Sequence, residues 1–294
     1  ILGGSMDLTG SGTGKSGILI GTGTGTTGTF TGMADTTNNT LTAGPTAIVL
    51  LGGSLLKVQG NASEGINLGS GDTVKGDIII NGSVEALPST ANGTTAGNVT
   101  GILLSGTTDG SLGVGSAGIV EGFGQGGQGV VVLGNVTQSI QNFGSILSSG
   151  TQATPSTDKG NPTPGSALVI SNNVTHGIYN GGPLTTSDTT NGPGSISTNG
   201  NSPALLVTTG FLDSGSATPV KIGGFVDKGG AGTYSLINRG TISSSPQNIN
   251  GASTGVEIIG TSDTNRVTLS DGFFNTGTIG ATTWAEYKKH IEKD

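Results

Sequence analysis

The chain has 294 residues, 58 of them glycine, and carries 11 basic against 18 acidic side chains for a net charge of −7. So few and so thinly spread cations exclude an electrostatic footprint for nucleic acid, and the absence of cysteine excludes a disulfide scaffold and any thiolate metal site. Charged residues make up only 10%, which leaves the surface to Thr, Ser, Asn and Gly, a palette suited to a secreted or cell-surface protein.

The chain opens at Ile1 with neither a methionine nor a leader-like run, which reads as a mature fragment. Thr9–Gly17, "TGSGTGKSG", imitates a phosphate-binding loop. Gly14-Lys15-Ser16 fits its end, but Thr9 stands where the first glycine belongs. The Gly/Thr alternation that follows cannot sustain the helix whose N-terminal amides would hold the anion. Residues 1–40 therefore read as Gly/Thr-rich strand and turn.

From there on, apolar residues gather in short runs: "AIVLL" at 47–51, "DIIING" at 77–82, "GILL" at 101–104, "GVVVLG" at 129–134, "SALVIS" at 166–171, "PALLVT" at 203–208 and "VEIIG" at 256–260. Runs of β-formers bounded by Gly, Asn, Ser and Pro predict strands. None approaches the length of a membrane span. Segments 148–166 and 180–195, polar and rich in turn formers, predict external loops.

Internal repeats set the expected architecture. "GVVVLGNVTQSIQNFGSI" (129–146) aligns with "SALVISNNVTHGIYNGGPL" (166–184) at an offset of 37 to 38, placing Asn142 over Asn180 and Gln138 under His176. The signature Asn-x-Gly-x-Ile occurs at Asn142, Gly144, Ile146, at Asn238, Gly240, Ile242 and at Asn275, Gly277, Ile279. Asn180, Gly182, Leu184 form a variant, and "INGSV" (80–84) and "VGSAGIV" (114–120) look like degenerate relatives. One such unit has too little apolar surface to fold alone. Stacking units at strand spacing, about 4.8 Å, pairs the backbone and builds one core. Asparagine tolerates a left-handed bend and can hydrogen-bond as a ladder between layers; glycine two residues later permits a tight turn before the isoleucine points inward. With right-handed crossovers as the default hand, the expectation is an all-β fold: a right-handed parallel β-helix, or solenoid, over residues 1–280, with roughly eight to ten coils.

These Asn-x-Gly-x-Ile repeats, with the Gly/Thr/Ser/Asn richness and the lack of cysteine, resemble the passenger region of bacterial autotransporters over roughly residues 40 to 280. The resemblance implies export, display at the bacterial outer membrane or secretion, and adhesion. It also implies partners among host-surface or matrix molecules, or self-association, with membrane attachment only through a C-terminal barrel that lies outside this sequence.

Residues 281–294 break from this pattern. Thr283 and Glu286 form a capping box, and Trp284, Tyr287 and Ile291 share one helical face, so a short C-terminal helix is predicted. It caps the open end of the solenoid, or starts a linker, or is an appended segment.

Chemistry is harder to find. Glycoside hydrolysis needs two carboxylates about 5 to 9.5 Å apart, and the sparse acids show no Asp-Asp or Asn-x-Asp motif. His176 falls on a repeat position at the outer surface, His290 sits alone in the tail, and Lys221, Lys228, Arg239 and Arg266 are isolated in sequence. "GFGQGGQG" (122–129) lacks the aspartates of calcium-binding glycine repeats. No residue is assigned a catalytic, cofactor-binding or metal-binding role, and no cofactor is expected. The expected function is a non-catalytic structural or adhesive surface domain, with a polysaccharide lyase or glycoside hydrolase as the alternative. A third idea, ice binding, would require regular Thr-x-Thr arrays over several coils, extending the alternation at Thr22 to Thr31.

Overall fold

The computed structural model describes residues 1–9, 14–21, 28–34, 45–89, 99–124, 126–149, 165–182, 192–200, 202–211, 218–227, 232–245, 253–281 and 291–292. Among these residues the fold is all-β, with no helix. The chain passes repeatedly through four sheets in the same order.

Sheet I has eight strands: Ser5–Leu8, Leu55–Gln59, Ser83–Leu87, Ile119–Phe123, Ser145–Ser149, Ser195–Thr198, Thr241–Ser244 and Thr278–Gly280. Sheet II has seven: Ser16–Ile20, Glu64–Leu68, Thr100–Leu104, Gln128–Val132, Leu168–Ile170, Leu205–Thr208 and Val256–Ile259. Sheet III is narrow. Thr29–Thr31, Thr73–Lys75 and Thr107–Asp109 form one part, Val220–Ile222, Val267–Leu269 and Ile291–Glu292 the other, and single bridges at Val136 and Val174 join them. Sheet IV runs through Met33–Ala34, Pro45–Leu50, Asp77–Ile80, Leu112–Val114, Ile140–Asn142, Ile178–Asn180, Leu236–Asn238 and Phe273–Asn275. Within the four sheets every pairing is parallel except that of Met33–Ala34 with Pro45 and Thr46.

The strand runs read from the sequence all fall in these sheets, and their distribution has a physical cause. The continuous apolar runs belong to sheets II and IV, where strands such as Asp77–Ile80 and Leu168–Ile170 are buried throughout, as strands covered on both faces must be. Sheet I is absent from those continuous runs because its strands alternate, although it carries the inward isoleucines of the repeat signature, Ile146, Ile242 and Ile279. Leu55–Gln59 and Ser83–Leu87 both bury every second residue and leave the others half-exposed.

Inward side chains of successive strands form unbroken columns. In sheet I one column runs Met6, Leu56, Val84, Val120, Ile146, Ile196, Ile242, Ile279. In sheet II the matching column runs Ile20, Leu68, Leu104, Val132, Ile170, Val207, Ile258. Members of all four sheets meet in one hydrophobic core. At about 25 cal/mol per Å² of apolar area removed from water, burial in this continuous core is the main driving force, since no single round could supply it.

Three expectations change. The basic unit is shorter than the repeat offset suggested: Asp109 and Thr137, in contact on neighbouring rounds, are 28 residues apart. The larger offsets contain insertions. The predicted loop 148–166 begins on the sheet I strand Ser145–Ser149 and stops just short of the sheet II strand Leu168–Ile170, and 180–195 runs from the last residue of the sheet IV strand Ile178–Asn180 to the first of the sheet I strand Ser195–Thr198; their central residues, 150–164 and 183–191, lie outside the described residues. Finally, the C-terminal helix is not observed. Thr283, Trp284, Glu286 and Tyr287 lie outside the described residues, while Ile291 belongs to a strand, with Ile291 and Glu292 pairing with Val267 and Thr268. The open edge of sheet III offers ready backbone partners to these two residues.

Candidate functional site

The repeated asparagines stand in one vertical row at the ends of sheet IV strands, Asn142 on Asn180, Asn180 on Asn238 and Asn238 on Asn275. Each amide nitrogen donates to the next amide oxygen, at 2.7, 2.8 and 2.7 Å. The same nitrogens also donate to the carbonyls of Ser195, Thr241 and Thr278, at 3.0, 3.1 and 3.3 Å, binding sheet IV to the start of sheet I. The row stops at Asn142, whose Oδ1 is buried without a partner because Val114 lies beneath it.

The asparagines do not use the left-handed conformation expected of them; among the described residues Ala62 is the one non-glycine with positive φ. Nor do Gly144, Gly240 and Gly277 have positive φ. A Cβ there would run into carbonyl oxygens of the round beneath, those of Gly115 and Gly118, of Gly194, and of Gly240 respectively. Close stacking, not turn conformation, is what demands glycine at these positions. Gly182, with φ of +81°, belongs to a different local geometry. Its presumed role falls to Gly194, whose Cβ would strike the carbonyl oxygen of Asn142. Ile196 accordingly takes the place on the column between Ile146 and Ile242 that the alignment assigned to Leu184, which lies outside the described residues. The motif here is split, with Asn180 on one side of an insertion and Gly194-Ser195-Ile196 on the other.

The acids take mostly structural places. Asp72 accepts the amide of Gly28 at 2.6 Å, Asp77 that of Ser111 at 2.7 Å, and Asp109 the hydroxyl of Thr137 at 2.9 Å. Burial pushes the carboxyls of Glu64 and Glu257 above the ordinary range; for Glu64 a hydrogen bond from Ser16 pulls partly back. His176 is exposed, donates its backbone amide to the carbonyl of Gln138, and so occupies the outer repeat position expected of it. Lys15, the lysine of the phosphate-loop imitation, donates to the carbonyl of Gln59, and the strand Ser16–Ile20 follows where a helix would be needed. On sheet III the outward columns read Thr29, Thr73, Thr107 and Thr31, Lys75, Asp109, so Thr-x-Thr does not repeat beyond its first strand there.

Two groupings escaped the sequence. On the outward side of sheet I, Asp7, Lys57, Glu85 and Glu121 form a column, with half-buried Glu85 and Glu121 in direct register and Ser149 donating to Glu121. The degenerate repeats ending at Val84 and Val120 carried the signal; extending each by one residue aligns the glutamates. The second grouping is an aromatic cluster outside sheet IV. Its outward column Gln141, Tyr179, Ile237, Phe274 is covered by Phe143, Phe225 and Tyr234. Phe225 and Tyr234 come from an antiparallel hairpin, Phe225–Asp227 with Gly232–Tyr234. The Asp227 carboxylate, fully buried, holds Arg239 at 2.6 Å, and that guanidinium lies 5.4 Å over the Phe274 ring. Among the described residues no group of His, Cys, Asp or Glu could hold a metal ion.

Comparison with protein-family models, with curated proteins and with solved structures yields no match to this chain.

Proposed function

We propose that the chain is a right-handed parallel β-helix serving as a non-catalytic structural or adhesive domain of a secreted or cell-surface protein, of the autotransporter-passenger kind that its Asn-x-Gly-x-Ile repeats resemble. Parallel strands joined by crossovers are right-handed in about 98% of cases, and the repeated passage through four sheets around one core supports the solenoid. The observation that carries the functional reading is the employment of polar side chains. The asparagine row, Asp72, Asp77 and Asp109 all bind backbone or neighbouring rounds, as a load-transmitting stack requires. Adhesion to host-surface or matrix molecules would then use the outer Ser/Thr-rich columns, such as Ser145, Ser195, Thr241 and Thr278 of sheet I.

The alternative, a polysaccharide-acting enzyme, is favoured by one observation, the in-register Glu85 and Glu121. Adjacent parallel strands lie about 4.8 Å apart, close to the roughly 5–5.5 Å of a retaining carboxylate pair. A glycan array run beside a panel of polysaccharide substrates separates the two readings. We expect no release of reducing ends from any substrate, with or without binding. Turnover abolished by Glu85→Gln or Glu121→Gln would overturn the non-catalytic reading.

A further inference from the structure

The outward face of sheet I changes character along the stack. On its last three strands the outward positions are small: Ser195 and Ser197, Thr241 and Ser243, Thr278 and Gly280. Earlier in the stack, on Leu55–Gln59, Ser83–Leu87, Ile119–Phe123 and Ser145–Ser149, the same face carries Leu55, Leu87, Ile119, Phe123 and Leu147. All of them are partly exposed, Ile119 to 37%. The patch lies mid-stack, with further strands of sheet I on both sides, and the turns leading into its strands, 51–54, 81–82, 115–118 and 143–144, are among the described residues. Neither end of the sequence is what exposes it.

Glu85 and Glu121 stand inside this patch, half-buried and in register on neighbouring strands about 4.8 Å apart. Like charges directly opposite each other destabilise a sheet, and apolar surroundings that exclude water strengthen the repulsion. Lys57 is in register with Glu85, yet among the described residues no ion pair reaches either glutamate, and Glu121 takes a hydrogen bond from Ser149. Serine, which the same column uses at Ser197 and Ser243, would carry no such cost. A local rule broken without compensation inside the molecule marks a place where function sets the sequence.

We propose that this patch binds an extended segment of a partner protein in which an arginine or lysine is flanked, two residues away on each side, by apolar side chains. The cation relieves the repulsion between Glu85 and Glu121, and the planar fork of a guanidinium can reach both carboxylates at once. An extended peptide repeats its side chains on one face every second residue, the same spacing as a strand of the sheet beneath. With the cation over Glu121, the apolar residues two positions before and after it therefore fall over Ile119 and Phe123, which stand two positions either side of Glu121 on its own strand. A neutral sugar would leave the repulsion in place, and a bare metal ion would leave the apolar side chains uncovered. The proposal deepens the surface-domain reading and rests on it. Its own failure is distinct, because sugar turnover that depends on these glutamates would remove that reading, whereas a lack of peptide binding would remove only the partner.

A random-peptide library displayed on phage, selected on the wild-type protein, tests it. The enriched sequences should share a basic residue with apolar residues two positions before and after it. A labelled synthetic copy of the most enriched sequence, followed by fluorescence anisotropy, should bind wild type saturably and more weakly as salt is raised. Glu85→Gln and Glu121→Gln should each weaken it about tenfold or more, as losing one partner of a close charge pair does. Ile119→Ser should weaken it too. Leu19→Ser, at a 64% exposed position on the outward face of sheet II, should not. In the same proteins Glu121→Gln should raise the urea midpoint, since it removes the like-charge contact. A lowered midpoint would mean that the glutamate serves the fold, and would overturn the proposal. So would a selection that enriches nothing or enriches sequences without a basic residue, peptide binding that ignores both glutamine variants, or neutral-glycan binding that requires the glutamates in its place.

Discussion

The side-chain amide of Asn180 is the middle of a chain of hydrogen bonds running through four rounds. It accepts from Asn142 and donates to Asn238 and to the carbonyl of Thr241. Asn180 and Asn238 are fully buried, so water cannot replace what is lost. Asn180→Ala leaves Asn238 Oδ1 and the Thr241 carbonyl without those donors, while Asn142 keeps only its bond to the Ser195 carbonyl. An unsatisfied buried polar group costs about 1–3 kcal/mol, and we expect a total loss of about 2–4 kcal/mol, read as a lower urea midpoint at unchanged slope. Asn275, exposed at the last level, supplies the internal comparison: it accepts from Asn238 alone among the four, and its replacement by alanine should cost less than half as much. Equal losses at the two positions would show that the row acts through local turns and not through its continuity.

At the scale of elements, the hairpin outside sheet IV is secured by one buried ion pair and two aromatic contacts, with a third backing one of them. Tyr179 meets Phe225 with ring centroids 5.1 Å apart and Phe143 at 5.6 Å, and Tyr234 stacks on Phe274 at 4.8 Å. Asp227→Ala strands the Arg239 guanidinium, which is 22% exposed, beside those rings. Breaking a buried pair from one side costs on the order of 3 kcal/mol. The loss should be local: hydrogen exchange should quicken at 225–227 and 232–234, while Ser145–Ser149 and Thr241–Ser244 keep their protection. This hairpin was illegible in the sequence because its strands are three residues long, too short for any period, and because a β-hairpin interrupts a pattern otherwise made of parallel crossovers. The asparagine row was legible because rounds that differ in length keep the same residue at the same corner. Leu184 was misplaced for the converse reason, since an insertion after Gly182 separates the asparagine of that round from its glycine and isoleucine. Gly240 and its equivalents were found by spacing but explained by the wrong physics, because steric approach between rounds leaves the same mark on a sequence as a turn. Glu85 and Glu121, on neighbouring rounds, became visible only once the strands of sheet I were placed in register.

For the whole molecule, stacking makes stability nearly one-dimensional: each round is held by its two neighbours and by little else. Position along the stack should therefore decide what a core substitution does. Ile146 and Ile279 occupy the same column, but Ile146 is fully buried between Val120 and Ile196, and Ile279, half-buried, has only Ile242 beneath it. Large-to-small changes in a packed core cost roughly 2–5 kcal/mol, with the larger values where neighbours cannot close the cavity. Parallel sheets hydrogen-bonded above and below cannot close in around Ile146, whereas the last round can relax toward solvent. Ile146→Ala should lower the urea midpoint of the whole protein and raise exchange in Ile119–Phe123 and Ser195–Thr198 together, since both rounds lose their shared neighbour. Ile279→Ala should raise exchange only in Phe273–Asn275 and Thr278–Gly280, with the midpoint almost unmoved. If Ile279→Ala instead destabilised every round as much as Ile146→Ala does, the chain would be unfolding as one concerted unit, and nearest-neighbour stacking would not be what holds it together.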